Sequence, residues 1–543
     1  MTHAEQADVV ITSNAIFTGL EKEPFSGSIA IKDNKIIYVG EQDRAANLIG
    51  AETKHFTYQD QLVMAGFNDF HIHLFLGSLS EDSVSLFEAK SEVEAAKLVK
   101  RFADQHPERE WIFGFRWYHV YWDKKELPHR STLDQLIPDR PVFLFNDECH
   151  GAWVNTKALE VLGIDEKTPD PPFGEIVRDK LGKPTGFLYE TAMTYAQKAF
   201  DQIPFEDKVK LLKNFQKEAA RLGVTSISDM LPLPGLQLGD LEVYDYLDKR
   251  KELSVRIHFL TELNGELSYP MKLRDQYQSD TLKFSGLKQF LDGVPTTYTA
   301  FMLEPYSDRE DTTGDTLIPV DYVKRWIMEA DDQGFRIRLH ACGDGAVRLG
   351  LDSFEEAQKR NGKRDSRHTI EHIEVIAEED VKRFGELGII ASMQPEHMAA
   401  SEFFEDNVYR KRLGREREKW TWPMKSLLQS NAQLAFGTDF PVVSLEPMTE
   451  IYRAVTRKHD DGYPQQGWNP EQKLTLYEAL RAYTIGAAFG TFREKELGTL
   501  EVGKLADVIV LDQNLFAIDP EQIREVQTVL TIMDGKVMYQ KGC

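Results

Sequence analysis

Eight strand-like runs recur along the sequence, and most are separated by segments with helical periodicity. The first is Phe67-Asn68-Asp69-Phe70-His71-Ile72-His73-Leu74, directly after Val63-Met64-Ala65-Gly66. The others span residues 225–228, 255–260, 287–291, 336–340, 369–372, 389–393 and 434–439. In the spacer 205–222, apolar residues recur at Val209, Leu212, Phe215, Ala219 and Leu222, and Gly223 stands where a helix-ending glycine belongs. An Ala-rich helical pattern over 476–489 closes the series. Strand–helix alternation implies a parallel sheet. Eight such strands predict an α/β fold of the (β/α)8 barrel type, whose active site lies at the C-terminal strand ends.

The remainder of the chain divides around that barrel. Short apolar runs near the N-terminus (9–11, 15–18) precede a hairpin pattern in which 27–31 returns as 36–40 through Lys32-Asp33-Asn34-Lys35. The C-terminus offers matching runs at 506–512 and 529–539, the latter broken by Asp534-Gly535, a hairpin signal. A β unit of this size is marginal alone. The two ends, 1–65 and 491–543, are therefore expected to form one composite β-sandwich beside a barrel spanning 66–490. Ser91-Glu92-Val93-Glu94 has the pattern of a capping box and predicts a helix running to about Phe102. From about 80 to 200 lies an insertion after the first strand, rich in turn residues and in rings such as Trp117, Tyr118, Tyr121, Trp122 and Trp153. It is expected to cover the barrel mouth.

Composition excludes several partners. A formal charge of −23 argues against nucleic acid and anionic membranes, and no apolar run is long enough to span a bilayer. Cys149, Cys342 and Cys543 are too few for a disulfide framework, so a cytoplasmic setting is the expectation. The expected partners are a small-molecule substrate and, as an assembly, a second copy in a homodimer.

Polar residues stand out on the strand-like runs. His71 and His73, two apart on a strand, face one side, and neutral imidazole is a common metal ligand. By chemistry alone such a pair is as readily a chance occurrence. Later runs add Lys288, His340, His372 and Asp439. An ammonium cannot bind a metal. Lys288 is therefore either an ordinary lysine, pairing with Asp292 or a substrate carboxylate, or a lysine carboxylated by CO₂ into a bridging anion.

The stretches 63–73, 286–293 (Gly-Leu-Lys-Gln-Phe-Leu-Asp-Gly), 370–372, 392–395, 437–441 (Gly-Thr-Asp-Phe-Pro) and 498–507 together resemble the amidohydrolase superfamily. Within it they resemble amidohydrolase family 3, the YtcJ-like metal-dependent hydrolases. The resemblance runs from about residue 8 to about 540. Residues 147–155 resemble that branch's D-G-H-x-x-W-V-N element, with Glu148-Cys149 interrupting the usual Asp-Gly before His150.

The resemblance implies one or two divalent ions, zinc by preference. His71 and His73 would hold the buried ion and His340 and His372 the exposed one, with carboxylated Lys288 as the bridge and Glu190 as its rival. Asp439 would touch metal and hydroxide, taking the proton and passing it to the leaving amine. His150 would stabilise the oxyanion. Trp117, Trp153, Gln394 and His397 are the expected substrate contacts, and the ring-rich wall predicts an apolar amide. The expected activity is hydrolysis of a non-peptide C–N bond by a metal-activated hydroxide. Its competitors are deamination of a heterocycle and a non-catalytic regulatory role on a hydrolase scaffold.

Overall fold

The computed structural model describes residues 6–230, 236, 240–399, 401 and 403–542. Eight parallel strands form the central sheet: β1 (Phe67–Ile72), β2 (Val224–Asp229), β3 (Arg256–Glu262), β4 (Leu282–Phe290), β5 (Ile337–Ala341), β6 (Thr369–His372), β7 (Ile390–Met393) and β8 (Gln433–Phe436). Each pairs in parallel with the next. A bridge between Ile72 and Phe440 brings the chain beyond β8 alongside β1 and closes the barrel. Helices such as Phe205–Leu222, Val320–Asp332 and Asp344–Asn361 lie between strands, and their buried faces join the main core. Gly223, at φ 79°, ends the first of these helices as expected, because the left-handed C-terminal position is open to glycine.

Both chain ends build one eight-stranded sheet. Val508–Leu511 pairs antiparallel with Leu62–Ala65, which joins the two halves. The hairpin 25–40 forms as expected, and so does the hairpin turned by Asp534 and Gly535, whose φ angles of 53° and 74° suit a tight turn. Its aliphatic core (Val9, Ile11, Ile29, Ile31, Val508, Ile532) is separate from that of the barrel. The Arg256 guanidinium at the start of β3 ties the two units, with Asp507 accepting at 2.8 and 2.9 Å and Asp534 at 3.1 Å.

The insertion is a folded unit with a six-stranded mixed sheet, one core of its own and a second core shared with Phe75, Leu76 and Leu211 of the barrel's helices. Its helix runs over Glu92–Gln105, with the Ser91 hydroxyl accepting from Glu94 N–H at 3.2 Å. Only half of the capping box forms, because the Glu94 carboxylate accepts from Lys90 N–H instead.

Closure of the barrel centres on Asp69. This fully buried carboxylate accepts from His71 N–H (3.2 Å), Thr438 N–H (3.0 Å), the Thr438 hydroxyl (2.8 Å) and the Tyr483 hydroxyl (2.9 Å). Tyr483 comes from the closing helix, whose middle widens into a π turn at Ala482–Gly486. The segments on either side approach so closely that a Cβ on Gly437 would stand 2.3 Å from His71 N. Burial pushes the Asp69 carboxyl up to about 6, against the lowering effect of its donors. Asp69→Ala leaves these donors unsatisfied, each at about 1–3 kcal/mol. It is expected to lower stability by roughly 3–5 kcal/mol, read as a drop in Tm and in the denaturation midpoint. A Tm equal to that of the parent would show that the closure does not depend on this carboxylate.

Candidate metal centre

The C-terminal strand ends bring the candidate ligands together. His71 stands on β1 and His73 just beyond it. His340 and His372 end β5 and β6, and Asp439 follows β8. One donor atom each of His71, His73 and Asp439 fall within 4.8 Å of one another, as do those of His340, Cys342 and His372, and those of His372, His397 and Asp439. Asp439 is the shared member. Its Oδ1 lies 3.3 Å from His71 Nε2 and 3.0 Å from His73 Nε2, while Oδ2 lies 3.9 Å from His372 and 3.8 Å from His397. Asp439 and His372 hold φ angles of 62° and 70°, a left-handed backbone that disfavours ordinary side chains and clusters at functional sites.

Each first-strand imidazole is turned by its other nitrogen. His71 Nδ1 lies 2.8 Å from Glu371 Oε2, and Arg338 donates to both oxygens of the same carboxylate. His73 Nδ1 meets the Met230 carbonyl at 3.1 Å. Both Nε2 atoms are thereby left facing Asp439. A carboxylate or carbonyl behind an imidazole is the usual support of a metal-ligating histidine. Burial, with the Lys288 charge adding to it, pushes His71 down to about 4 despite Asp439 and Glu371, so the ring is neutral at neutral pH and keeps its lone pair. Burial opposes the ionisation of Asp439, yet the neighbouring histidines hold its carboxyl below the usual range.

Several of these atoms have no hydrogen-bond partner among the described residues: His71 Nε2, Lys288 Nζ, His372 Nδ1, His397 Nε2 and Asp439 Oδ1. Buried polar atoms left unpaired cost stability. The histidines and the aspartate among them belong to the clusters around Asp439, which a divalent ion would satisfy, and the donor set of imidazole and carboxylate suits such an ion. Lys288 lies on β4, buried, with its pKa pushed down to about 8 chiefly by burial. It does not pair with Asp292. That carboxylate instead accepts from the N–H groups of Phe301, Cys342 and Gly343. Glu190 is committed through one oxygen to His150 Nδ1 at 2.8 Å, and its other oxygen is unpartnered among the described residues. Burial alone would lower the His150 pKa, but the Glu190 charge and hydrogen bond lift it to about 9. The His150 ring lies 5.9 Å from that of His340.

A cavity of about 330 Å³ opens over the centre, bordered by His150, His340, His372, His397 and Asp439. Trp117 and Trp153 do not reach it, and here the sequence-based expectation is corrected. Both are buried in the insertion's own core with Trp122 and Phe187, facing the helix Glu92–Gln105. A sheet folded as a separate unit must fill its own interior, and these rings do so. The Tyr121 side chain lies outside the described residues. The wall holds Phe87, Val294 and Tyr409 but also Arg116, Glu148, Glu374, Glu396 and Asp460, so it is far more polar than the ring-rich sequence suggests. Gln394 is buried beyond β7, outside the cavity lining, with its amide atoms unpartnered among the described residues. Cys342, Glu371 and Glu374 were missed as site residues. The spacing His340-x-Cys342 was a readable signal for the first.

A parallel barrel with histidines and an aspartate gathered at its C-terminal strand ends is the frame of a metal-dependent hydrolase. The amidohydrolase family pattern matches residues 59–539, and the chain belongs to that family. It is 33% identical to Protein LONG AFTER FAR-RED 3 of Arabidopsis thaliana, over 98% of this chain and 92% of that one. It is 30% identical to the putative amidohydrolase YtcJ of Bacillus subtilis (97% and 98% covered) and 25% identical to the N-substituted formamide deformylase of Arthrobacter pascens (99% and 99%). Among solved structures, an uncharacterized metal-dependent hydrolase from Pyrococcus horikoshii superposes with a TM-score of 0.76 at 27% identity, covering 94% of this chain and 99% of that one.

The geometry predicts that the double variant His71→Ala/His73→Ala, purified with zinc present, binds at least one equivalent of ion less than the parent by elemental analysis. His71→Ala alone also removes one of the two side chains bonded to Glu371 Oε2, with Arg338 remaining, and should cost about 1–3 kcal/mol. Metal content equal to that of the parent would remove these histidines from the centre.

Proposed function

We propose that this chain hydrolyses a non-peptide carbon–nitrogen bond, with a small amide as substrate and Asp439 as proton carrier. The observation that carries the reading is the position of Asp439, one oxygen beside His71 and His73 and the other turned toward His372 and His397 at the cavity. The residues present fit a divalent ion, held by His71, His73, His340, His372 and Asp439, and zinc suits imidazole-rich donors. Such an ion supplies an acidified water and polarises a carbonyl. Asp439, ionised and facing the cavity, accepts the proton of the attacking water and returns it to the departing amine nitrogen. His150, kept charged by Glu190, donates a hydrogen bond to the oxygen on which negative charge develops. Carboxylated on its amine by CO₂, Lys288 would add a ligand for such an ion; the amine is buried without a partner among the described residues, and burial lowers its pKa toward the free base that reacts with CO₂. Glu190 is the weaker candidate for the bridge because His150 occupies one of its oxygens.

The formamide-cleaving relative supports an N-acyl amine as substrate. Glu148 on the wall is bonded to the hydroxyls of Tyr118 and Thr296, and Glu374 to the Tyr409 hydroxyl with His397 Nδ1 at 3.5 Å, and these carboxyl groups favour a polar amine portion over a bulky apolar one. A scaffold retained without catalysis would have no use for converging buried donors left unpaired. Incubating the purified protein with N-formyl and N-acetyl amines, amino-substituted pyrimidines and lactones tests the reading. Release of free amine from the amides is the expected result. Turnover confined to ring deamination or to lactones would contradict it.

Asp439→Asn is expected to lower kcat by at least about a hundredfold, the lower bound for losing a positioned acid–base group, with folding retained by circular dichroism. Normal turnover with metal bound would refute the proton-carrier role. Lys288→Ala should reduce both metal content and kcat, and millimolar formate or acetate should restore part of each by occupying the vacated position. Full metal and full rate without added acid would shift the bridge to Glu190.

A further inference from the structure

Cys342 follows His340 by two residues at the end of β5. In extended chain such residues face the same way, so His340-x-Cys342 repeats on β5 the spacing of His71-x-His73 on β1. The thiol is buried at the cavity wall. Its Sγ lies 3.4 Å from His340 Nε2, which also meets the Gly293 carbonyl at 3.1 Å, and donor atoms of His340, Cys342 and His372 fall within 4.8 Å of one another. A second observation does not involve the cysteine. His372 Nδ1 is buried without a hydrogen-bond partner among the described residues, and His372 borders the same cavity.

The backbone holds the thiol in place. Asp292 accepts from Cys342 N–H at 3.1 Å and from Gly343 N–H at 2.9 Å, and the Cys342 carbonyl accepts from Val375 N–H at 3.1 Å. A buried cysteine with no further role packs as a small apolar group. This one has an imidazole nitrogen at hydrogen-bond distance and a cavity in front of it.

We propose that Cys342 is a sulfur ligand that completes, with His340 and His372, an ion site selective for zinc or another thiophilic divalent cation over magnesium and manganese. The proposal rests on the metal-dependent reading above and adds to it a ligand and a metal preference. Thiolate with two imidazoles is a donor set of zinc sites, and three protein donors leave a fourth position open for water or substrate. On binding, the thiol proton is released to solvent and the sulfur lone pair forms the bond to the ion.

X-ray absorption at the zinc edge, on the full-length protein loaded with zinc, reads the ligand directly. The expected result is a sulfur scatterer at about 2.3 Å beside nitrogen at about 2.0–2.1 Å. The sulfur should persist in Cys149→Ser and Cys543→Ser and vanish in Cys342→Ser. Cobalt loading gives the same answer optically, through a thiolate-to-cobalt charge-transfer band present in the parent and lost in Cys342→Ser. Zinc affinity of that variant should fall at least as far as the roughly 10–100-fold loss caused by removing partners behind ligands. Zinc bound by nitrogen and oxygen alone in the parent overturns the proposal and leaves the metal reading intact, and it does so even if Cys342→Ser does not fold. Sulfur retained in a folded Cys342→Ser also overturns it. A parent that binds no ion overturns both.

Discussion

The whole arrangement depends on Asp69, a buried carboxylate that joins the first barrel strand to the chain beyond the last. It accepts from the backbone of His71 and from both donors of Thr438, so the residues next to Asp439 and the first histidine are fixed by one group. Backbone bonds complete the seam, with Asp439 N–H donating to His71 O at 2.6 Å and His73 N–H to Phe440 O at 2.8 Å. Neither end of the barrel sheet could hold the aspartate against the two imidazoles alone. Tyr483 adds the closing helix to the same carboxylate, so outer layer and site share one contact.

Around this seam, charge is arranged in pairs that leave chosen atoms unpaired. Arg338 and His71 hold Glu371 far below its usual range although burial opposes this, and the reward of that network is an imidazole fixed in direction and free at Nε2. A buried ion pair contributes little net stability by itself. Its value here lies in orientation. His150 and Glu190 repeat the device on the insertion side of the cavity, where the imidazole retains its proton.

Much of this was legible in the sequence. β-branched and apolar runs marked the eight barrel strands, and the helix Phe205–Leu222 with Gly223 was readable from period and end signal. His71, His73, His340, His372 and Asp439 were readable because strand ends of a parallel barrel point one way, whatever the loops between them do. The insertion's place after β1 was readable too, but the direction of its rings was not. Alternation along a strand says that Trp117 and its neighbour point to opposite faces, but not which face looks toward the mouth. The rings entered the insertion's core, and the polar wall came from residues scattered over Arg116, Glu148, Glu374 and Asp460. Lys288 and Asp292, close in sequence, part because β4 ends at Phe290 and Asp292 turns to hold the segment after β5. Such long-range hydrogen bonds leave no mark in local periodicity.

The central claim is that barrel closure assembles an ion site between the first and last strands. Anomalous X-ray diffraction from crystals of the zinc-loaded protein, collected on both sides of the zinc edge, tests it most directly. The account predicts an anomalous peak within bonding distance of His71 Nε2, His73 Nε2 and Asp439, at about 2.0–2.2 Å from each ligand atom. Anomalous density confined to other parts of the molecule, with these three side chains contacting only one another, would contradict it.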